Sequence, residues 1–576
     1  MRVVRLYLCL VGCLPLTGGM AAPLPPYSEA AVQAWWRAQG ETADFPAEAE
    51  NLKSMLRERQ QGSADLSAVT GHPDFLGWLE LAAWLDLFPR EAAGGFFHRA
   101  EGRRAFVRTG ALSPLRRLFF AHLSPFDDAA KAAEILCRIC ESDPDRVKQH
   151  PQVAVAFALV WDQPFPDQWP HLWTRKEALP IGDADPVKRF AVYFKIQAGI
   201  PMGRKVRKLM LDPSRLTARE LMFVVDTPVE TREMEYILQV DLEDPRRLND
   251  LFQAVPYDAG RMNRGELQWP HGGYRLIDIG KKGGICADQA YFVAMAGKAQ
   301  GLPTVLLMGQ GSTGGHAWVG YMGSPGQWML DVARYDEQNF VSGTAWDPQT
   351  WKRITDAQLL FLTKAPASEV RALRGRLLTR WALMNRGEDY YPRLLGLARE
   401  AWPRSFDIWE LQAACLEERH LPFEARRAFW ENWVSTFRED RDMRFKGQTE
   451  ILRLHEARGD IRRADQLRAQ MTLENKSGRF DLAISLAAAP VLDLAGAGKW
   501  PEAQKAYATV LQQFKQQSGG ILFYNLVQPF VDRALQAGRQ ALAKEALAAA
   551  KPLFKIEPLS TVAVDFKNLE TMAQKP

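Results

Sequence analysis

The stretch from Lys281 to Asp336, KKGGICADQAYFVAMAGKAQGLPTVLLMGQGSTGGHAWVGYMGSPGQWMLDVARYD, decides the expected fold of this chain. Gly283 and Gly284 allow the backbone angles of a tight turn, so we expect a helix to begin at Cys286 and to end near Gln300. Small residues along one flank of this helix predict close packing against a sheet. A cysteine at the N-terminus of a helix lies at the positive end of the helix dipole, which favours the thiolate.

Three short strands are expected after this helix. Residues 304–308 form a continuous apolar run, which is typical of a buried strand. Residues 316–321 and 328–332 are expected to pair as a hairpin through the Gly- and Pro-containing segment between them.

The register of this hairpin determines whether His316 and Asp331 can meet. If the turn is centred between Ser324 and Pro325, His316 pairs with residue 333, and Asp331 lies two positions along on the same face. A slip of one residue would place the two side chains on opposite faces.

Together these residues predict the chemistry of a thiol nucleophile. The His316 imidazole would take the proton of Cys286, and the Asp331 carboxylate would fix the tautomer of the ring. The developing oxyanion would be bound by the backbone N–H of Cys286 and by one upstream donor. Gln268 and Trp269 are the candidate donors, and Gln268 is preferred because its amide is the stronger donor.

The motifs GGICAD, GLPT, HAWVGY and WMLDVA closely resemble the core of the transglutaminase-like superfamily, which is papain-like. The resemblance covers roughly residues 245–360. It implies that Cys286, His316 and Asp331 are nucleophile, base and orienting acid, with separations of 316 − 286 = 30 and 331 − 316 = 15 residues. It also implies acyl transfer on amides, although the superfamily includes members that only bind. No residue matches the calcium ligands of the animal cross-linking enzymes, and no metal or organic cofactor is implied.

Several further residues could line a cleft around this cysteine. The candidates for substrate binding are Tyr257, Asp258, Tyr274, Asp288, Gln289 and Trp318. Asp288 and Gln289 have an alternative role, because polar residues in the first turn of a helix more often cap it.

The chain contains six cysteines, too few for a disulfide framework. Cys137 and Cys140 form a C-x-x-C pair, but no second pair or nearby histidine completes a zinc site. Because the pair lies within a helical pattern, both sulfurs are expected to face the core.

The first 22 residues have the pattern of an export signal, with two arginines, an apolar run and a small-residue cleavage site. A cleavage after Ala21 or Ala22 competes with a lipoprotein box that ends at Cys13. We therefore expect a periplasmic or extracellular protein, and the only membrane contact expected is a lipid anchor at Cys13.

A repeat follows residue 365. Four alanines recur at separations of 39, 39 and 40 residues, by subtraction, namely Ala425, Ala464, Ala503 and Ala543. Five positions before each alanine is a residue expected to turn the chain: His420, Gly459, Gly498 and Gly538. The spacing predicts tetratricopeptide-like helical hairpins that stack into a right-handed solenoid, and the alternative is an ordinary helical bundle.

The expected fold class is α+β, with a papain-like transglutaminase core between two helical regions. We expect a signal peptide over residues 1–22, an N-terminal helical domain over 23–240, a catalytic domain over 241–365 and a helical-repeat domain over 366–576. A length of 576 residues is too great for one core. The net charge of +5, from 73 basic and 68 acidic residues, argues against nucleic acid as a partner.

The sequence therefore predicts an exported thiol-dependent acyl-transfer enzyme that acts on peptide-like amides, either a protease or amidase or a transamidase. Its partner would be a protein or peptide substrate. The alternative is a non-catalytic scaffold that binds proteins through the core and the helical repeats.

Overall fold

The structure, a computed structural model, describes most of the chain: residues 24–39, 43–63, 65–90, 95–170, 185–197, 201–202, 205–206, 209–240, 244, 247–264, 266–311, 314–335, 342–517, 519–554 and 560–574. The predicted export signal and the lipid-anchor alternative at Cys13 lie outside these residues. Within the described residues, no helix is both long enough and apolar enough to cross a bilayer.

The chain is mostly helical and has one five-stranded antiparallel sheet, which agrees with the α+β class in broad terms. The helices of the N-terminal part are α1 (Glu29–Gln39), α2 (Phe45–Gln61), α3 (Leu66–Gly71), α4 (Pro73–Leu85), α5 (Ala100–Ala111), α6 (Ser113–His122), α7 (Ala129–Ser142), α8 (Pro144–Gln149), α9 (Pro151–Val160) and α10 (Pro186–Gln197). Proline opens several of them, because its fixed φ suits the first helical turn.

The central part begins with the two-residue strands β1 (Pro201–Met202) and β2 (Lys205–Val206). Six helices follow: α11 (Ala218–Val225), α12 (Thr231–Ile237), α13 (Leu248–Ala254), α14 (Ala259–Asn263), α15 (Leu276–Lys282) and α16 (Cys286–Ala299). The sheet contains β3 (Thr304–Gln310), β4 (Gly315–Ser324), β5 (Gln327–Val332), β6 (Thr344–Trp346) and β7 (Arg353–Thr355), in the order β5-β4-β3-β6-β7.

Helix α16 packs against one face of this sheet. Ala287 and Ala290 of the helix share a buried cluster with Ala317 and Val319 of β4. The other face is covered by a second cluster, in which Trp318 of β4 meets apolar residues of α11 and of the helix after β7. The sheet is therefore buried on both faces at β4 and β3, whereas most of β5 is exposed or half-buried, and α16 is central, as its small residues predicted.

The predicted register of the β4–β5 hairpin is wrong. Ser324 pairs with Gln327, so the turn is the dipeptide Pro325-Gly326, and Gly326 has a φ of 75°. Val319 pairs with Val332, whereas the predicted register would pair it with residue 330. Between these two pairs the register shifts twice, as in β-bulges: β4 has one extra residue between Met322 and Ser324, and β5 has one extra residue between Met329 and Val332.

The C-terminal part is helical throughout its described residues. Its helices are α17 (Asp356–Leu362), α18 (Glu369–Met384), α19 (Tyr391–Ala401), α20 (Phe406–Glu418), α21 (Phe423–Thr436), α22 (Arg441–Ala457), α23 (Ile461–Asn475), α24 (Phe480–Gly496), α25 (Trp500–Gln513), α26 (Gly520–Leu522), α27 (Gln528–Gln536), α28 (Gln540–Ala550) and α29 (Thr561–Gln574). A π-helical turn, Phe523–Val527, joins α26 to α27.

The predicted repeat corresponds to four helix–turn–helix units, α20–α21, α22–α23, α24–α25 and α27–α28. All four predicted turn residues have positive φ, at 48° for His420, 79° for Gly459, 72° for Gly498 and 68° for Gly538. This left-handed conformation ends a helix, and glycine adopts it at little cost. Three of the four repeat alanines are buried, and Ala425 is exposed. The stacking of the units into a right-handed solenoid remains a prediction.

The hydrophobic cores do not follow the predicted segment boundaries. One core extends from Val32 to Cys415, and it includes the N-terminal helices, one side of α16 and helices α18 to α20. A separate core, from Ala483 to Ala573, lies within the last helices. The helices directly after residue 366 therefore pack with the N-terminal region.

Two carboxyl groups of the N-terminal part, Asp127 and Asp162, have buried oxygen atoms, and Asp127 connects this part to the loop between β6 and β7. Asp127 Oδ2 accepts hydrogen bonds from the Ser124 N–H (2.7 Å) and from Gln349 Nε2 (2.8 Å). Asp162 Oδ2 accepts one from the Asp128 N–H (2.7 Å). The Oδ1 atoms of both aspartates are buried without a hydrogen-bond partner. Burial raises the pKa of Asp162 to about 7, and burial together with the Asp162 charge raises the pKa of Asp127 well above its usual range.

The raised pKa values of Asp127 and Asp162 predict that the free energy of unfolding decreases at high pH. A carboxyl whose pKa is raised on folding contributes stability below its unfolded pKa, and this stability is lost as pH rises through the folded pKa. Between pH 4 and 7 the loss is up to about 1.4 kcal/mol per pH unit for one group. We expect Asp162→Asn to unfold at higher urea concentration than the wild type at pH 8 and at a similar concentration at pH 4. Parallel pH profiles for the two proteins would contradict this expectation.

Candidate active site

A glycine turn places residues 256–258 beside Cys286. Gly283 has a φ of 80°, and a Cβ atom there would lie 2.1 Å from the Pro256 carbonyl oxygen. The Gly284 N–H donates to that oxygen (2.8 Å), and the Asp258 N–H donates to the Gly284 carbonyl (3.0 Å). Glycine is therefore required at position 283 by both conformation and space, as the sequence predicted.

Asp288 lies in the first turn of α16 and is fully buried. Its Oδ2 accepts hydrogen bonds from the Ile285 N–H (2.8 Å) and from Arg261 Nη1 (2.7 Å), and its Oδ1 accepts one from the Tyr274 hydroxyl (2.6 Å). Burial raises the pKa of Asp288, and the Arg261 charge opposes this rise. The capping role of Asp288 is confirmed. Because Asp288 and Tyr274 are buried and bonded to each other, the structure does not place them as substrate-binding residues.

Arg261 is a residue that the sequence analysis missed. Its side chain is fully buried, and besides Asp288 it donates to the backbone carbonyls of Glu266 (2.9 Å) and Leu267. The guanidinium therefore ties the loop that carries Gln268 to the N-terminus of α16. A buried aspartate at the third helical position requires a cation, and this requirement is the signal that could have identified Arg261.

Gln289 and Trp318 are also structural. Gln289 is buried, and its Nε2 donates to the carbonyls of Phe252 (3.2 Å) and Val255 (2.7 Å). It therefore holds the end of α13 rather than capping α16. Trp318 is fully buried in the cluster on the far face of the sheet. Neither side chain is placed to contact a substrate.

Cys286 is the first residue of α16 and is partly buried. Burial raises the pKa of its thiol to about 11, although the backbone N–H of Ala317 is directed at the sulfur and lowers it, and the Asp288 carboxylate adds to the rise. We expected the N-terminus of the helix to favour the thiolate. In this structure burial has the larger effect, and it raises the pKa of the thiol. Burial therefore favours the neutral thiol over the thiolate.

His316 lies next to Ala317 in β4 and is 5% exposed. Its Nε2 lies 2.7 Å from the Ala333 carbonyl oxygen. Since a carbonyl only accepts, Nε2 carries the ring proton, and Nδ1 carries the lone pair of the neutral imidazole. The ring stacks on Tyr335, with centroids 4.0 Å apart and an angle of 14° between the planes. The Cys286 sulfur is approached by the backbone N–H groups of Ala317, Ala287 and Cys286 itself.

Asp331 does not reach His316. Val319 pairs with Val332 and Tyr321 with Met329, so Asp331 lies beside Gly320, four positions from His316 along β4, and β5 ends before it reaches His316. Four residues of a strand span about 13 Å. The Asp331 side chain is exposed. The structure therefore does not place Asp331 as the orienting acid, and the Ala333 carbonyl occupies that position.

Ala333 has a φ of 60°, which is rare for a residue with a Cβ atom. This left-handed conformation costs about 1–3 kcal/mol. It ends β5 and turns the Ala333 carbonyl toward the His316 ring. Strain of this kind is concentrated at functional sites, so Ala333 is a second residue that the sequence analysis missed.

The two candidate oxyanion donors lie on the loop tied by Arg261. Gln268 is exposed, and the indole N–H of Trp269 donates to the Gly272 carbonyl (3.3 Å). The described contacts do not bring either donor to the sulfur. The backbone N–H groups of Cys286, Ala287 and Ala317 are close to it, and they are the donors that the structure offers.

Two exposed tyrosines flank the sulfur and the imidazole. Tyr257 is 52% exposed and Tyr335 is 50% exposed. Burial raises the pKa of Tyr257 to about 12, and the charges of Cys286 and Tyr335 add to this rise, so the three groups are close together. Asp258 caps α14 by accepting from the Arg261 N–H (2.9 Å). Of the six predicted substrate-binding residues, Tyr257 is the one whose side chain is exposed beside the cysteine.

The remaining cysteines are distant from this chemistry. Cys137 and Cys140 are buried in α7, and burial raises the pKa of Cys140 to about 12 and that of Cys137 further. Their predicted role in core packing is confirmed. Among the described residues, no group of three His, Cys, Asp or Glu side chains is arranged to hold a metal ion.

Comparisons of the chain with protein-family models, with curated proteins and with solved structures each found no match.

Proposed function

We propose that this protein is an exported, thiol-dependent acyl-transfer enzyme that acts on peptide-like amides, as its resemblance to the transglutaminase-like superfamily implies. The observation that carries the proposal is the arrangement around α16. Cys286 begins a buried helix, and its sulfur faces the backbone N–H of Ala317. The residue before Ala317 is His316, whose Nε2 is hydrogen-bonded to the Ala333 carbonyl.

In the proposed reaction, His316 takes the thiol proton at Nδ1 as the sulfur of Cys286 attacks the substrate carbonyl. The C–N bond of the amide then breaks, and His316 transfers the proton to the leaving amine. Water or a second amine attacks the resulting thioester, the C–S bond breaks, and the proton returns to the sulfur. Burial raises the pKa of the Cys286 thiol, so the attack needs a base that takes the thiol proton, and we assign this role to His316.

The backbone donors around the sulfur support the same reaction. The N–H groups of Cys286, Ala287 and Ala317 converge there, and such groups stabilise a tetrahedral oxyanion. Tyr257 and Tyr335 offer exposed aromatic faces to the substrate chain.

The second candidate is a non-catalytic scaffold that binds proteins. Two observations favour it: the Asp331 carboxylate does not reach His316, and the pKa of the Cys286 thiol is raised rather than lowered. The helical units of the C-terminal part would then supply the binding surface.

A library of peptides that carry a chloroacetyl electrophile tests the first candidate against the second. At pH 7.5 we expect an adduct on Cys286 and on no other cysteine of the described residues, because among these its thiol is the one that is not buried. Cys137, Cys140 and Cys415 are buried and serve as internal controls. Peptide mapping by mass spectrometry identifies the modified residue, and amide hydrolysis or amine incorporation is measured in parallel.

The matched control is Cys286→Ala, which should form no adduct and show no turnover. Labelling of Cys137, Cys140, Cys286 and Cys415 after denaturation establishes that each of these can be detected. A wild-type protein that forms no Cys286 adduct and turns over no amide, while it still binds peptides, would favour the scaffold.

A further inference from the structure

The last helices of the chain contact the loop that leads into His316. Gly311 and Gly314, between β3 and β4, are buried. A methyl group at Gly520, the first residue of α26, would lie 2.3 Å from the Gly311 carbonyl oxygen and 3.2 Å from Gly314 Cα. A methyl group at Gly314 would lie 1.7 Å from the Thr561 hydroxyl oxygen, at the start of α29. Gly311 and Gly314 are therefore packed without spare room against two C-terminal helices.

The C-terminal helices also hold the opposite side of the sheet. The Ser342 N–H, just before β6, donates to Asp481 Oδ2 (3.4 Å), and the Thr355 hydroxyl at the end of β7 donates to Asp442. Arg479 binds both of these carboxylates. The sheet edge that includes β6 and β7 is thus anchored to α22 and α24, so a shift of the C-terminal part would be transmitted to the sheet.

We propose that Gly520 and Thr561 are positioning residues for His316. Gly314 is two residues before His316 in the chain, so its location fixes where β4 begins. Protein interiors are close-packed, and an added methyl group at this contact has to displace the loop. The inference rests on the proposed function, because it assigns to the C-terminal helices the task of holding the base relative to Cys286.

The test compares Gly520→Ala with Gly496→Ala. Both are helical glycines of the C-terminal part, but a Cβ atom at Gly496 meets nothing within 4 Å. We expect Gly520→Ala to lower kcat for amide turnover by about 100-fold, since a displacement of about 1 Å has that effect on a catalytic group, and to leave KM unchanged. Gly496→Ala should keep the wild-type kcat. Hydrogen exchange of the peptide that contains residues 309–316 should become faster only in Gly520→Ala.

Thr561→Ala is the second variant, because it removes the contact with Gly314 without adding an atom. If Gly520→Ala does not fold, a lower kcat in Thr561→Ala at the wild-type melting temperature supports the inference. A wild-type kcat and wild-type exchange in whichever variant folds would overturn it. If Cys286→Ala keeps its turnover, the proposed function fails rather than this inference. The hydrogen-exchange comparison then still tests whether the contact of Gly520 with Gly311 and Gly314 positions His316.

Discussion

We expect His316→Ala to lower turnover by about 10²–10⁴-fold, the usual contribution of a general base, and Asp331→Asn to leave turnover unchanged. The reason is geometric. The His316 ring is held by the Ala333 carbonyl at 2.7 Å, and the Asp331 side chain is exposed four strand positions away. A carbonyl acceptor fixes the tautomer but carries no charge, so it offers a forming imidazolium less stabilisation than a carboxylate would.

Steady-state kinetics of the two variants check this expectation, with thermal unfolding as the control for folding. Both substitutions remove a polar group near the same hairpin, so a general effect of mutation would lower both activities alike. A loss of turnover in Asp331→Asn as large as that in His316→Ala would show that the carboxylate reaches the ring during catalysis. The role assigned to the Ala333 carbonyl would then be wrong.

The central helix was predictable because its signals are local. Gly283 has a conformational and a steric reason to be glycine, and Gly284 has a steric one. The helix observed, Cys286–Ala299, ends one residue from the predicted end. The repeat turns were predictable for the same reason, since a left-handed residue ends a helix wherever it occurs.

The hairpin register was not predictable from side-chain patterning. The turn at Pro325-Gly326 changes the register from the predicted one, and two opposite shifts follow along the hairpin, which alternation of apolar residues does not reveal. The sequence did contain one usable signal, because a glycine in a two-residue turn supplies the positive φ found at Gly326.

The site predictions failed where burial depends on distant contacts. Asp288 and Gln289 are polar residues next to the nucleophile, which suggested that they face a substrate, but each is buried by partners far away in the sequence. Likewise, the contact of Gly520 with the loop before His316 joins residues about 200 positions apart, and no local pattern encodes such a distance.

The largest loss of stability is expected from Arg261→Met. This change leaves the Asp288 carboxylate buried without its cation, and breaking a buried pair in this way costs about 3–5 kcal/mol. Because burial already raises the pKa of Asp288 and the Arg261 charge opposes that rise, the pKa should increase further in the variant. Protonation then relieves part of the cost, so the stability deficit should shrink as pH falls.

Urea denaturation at pH 8 and pH 5 measures these effects. Arg264→Met is the matched control, since Arg264 lies three residues away and forms an exposed ion pair with Glu266, so its loss should leave the free energy of unfolding unchanged. The double variant Arg261→Met with Asp288→Asn should recover part of the lost stability, because no unpaired charge remains. Equal stability of the Arg261→Met and Arg264→Met proteins would contradict the buried pair. A double variant less stable than Arg261→Met alone would show instead that Asp288 acts mainly through its bonds to Tyr274 and the Ile285 N–H.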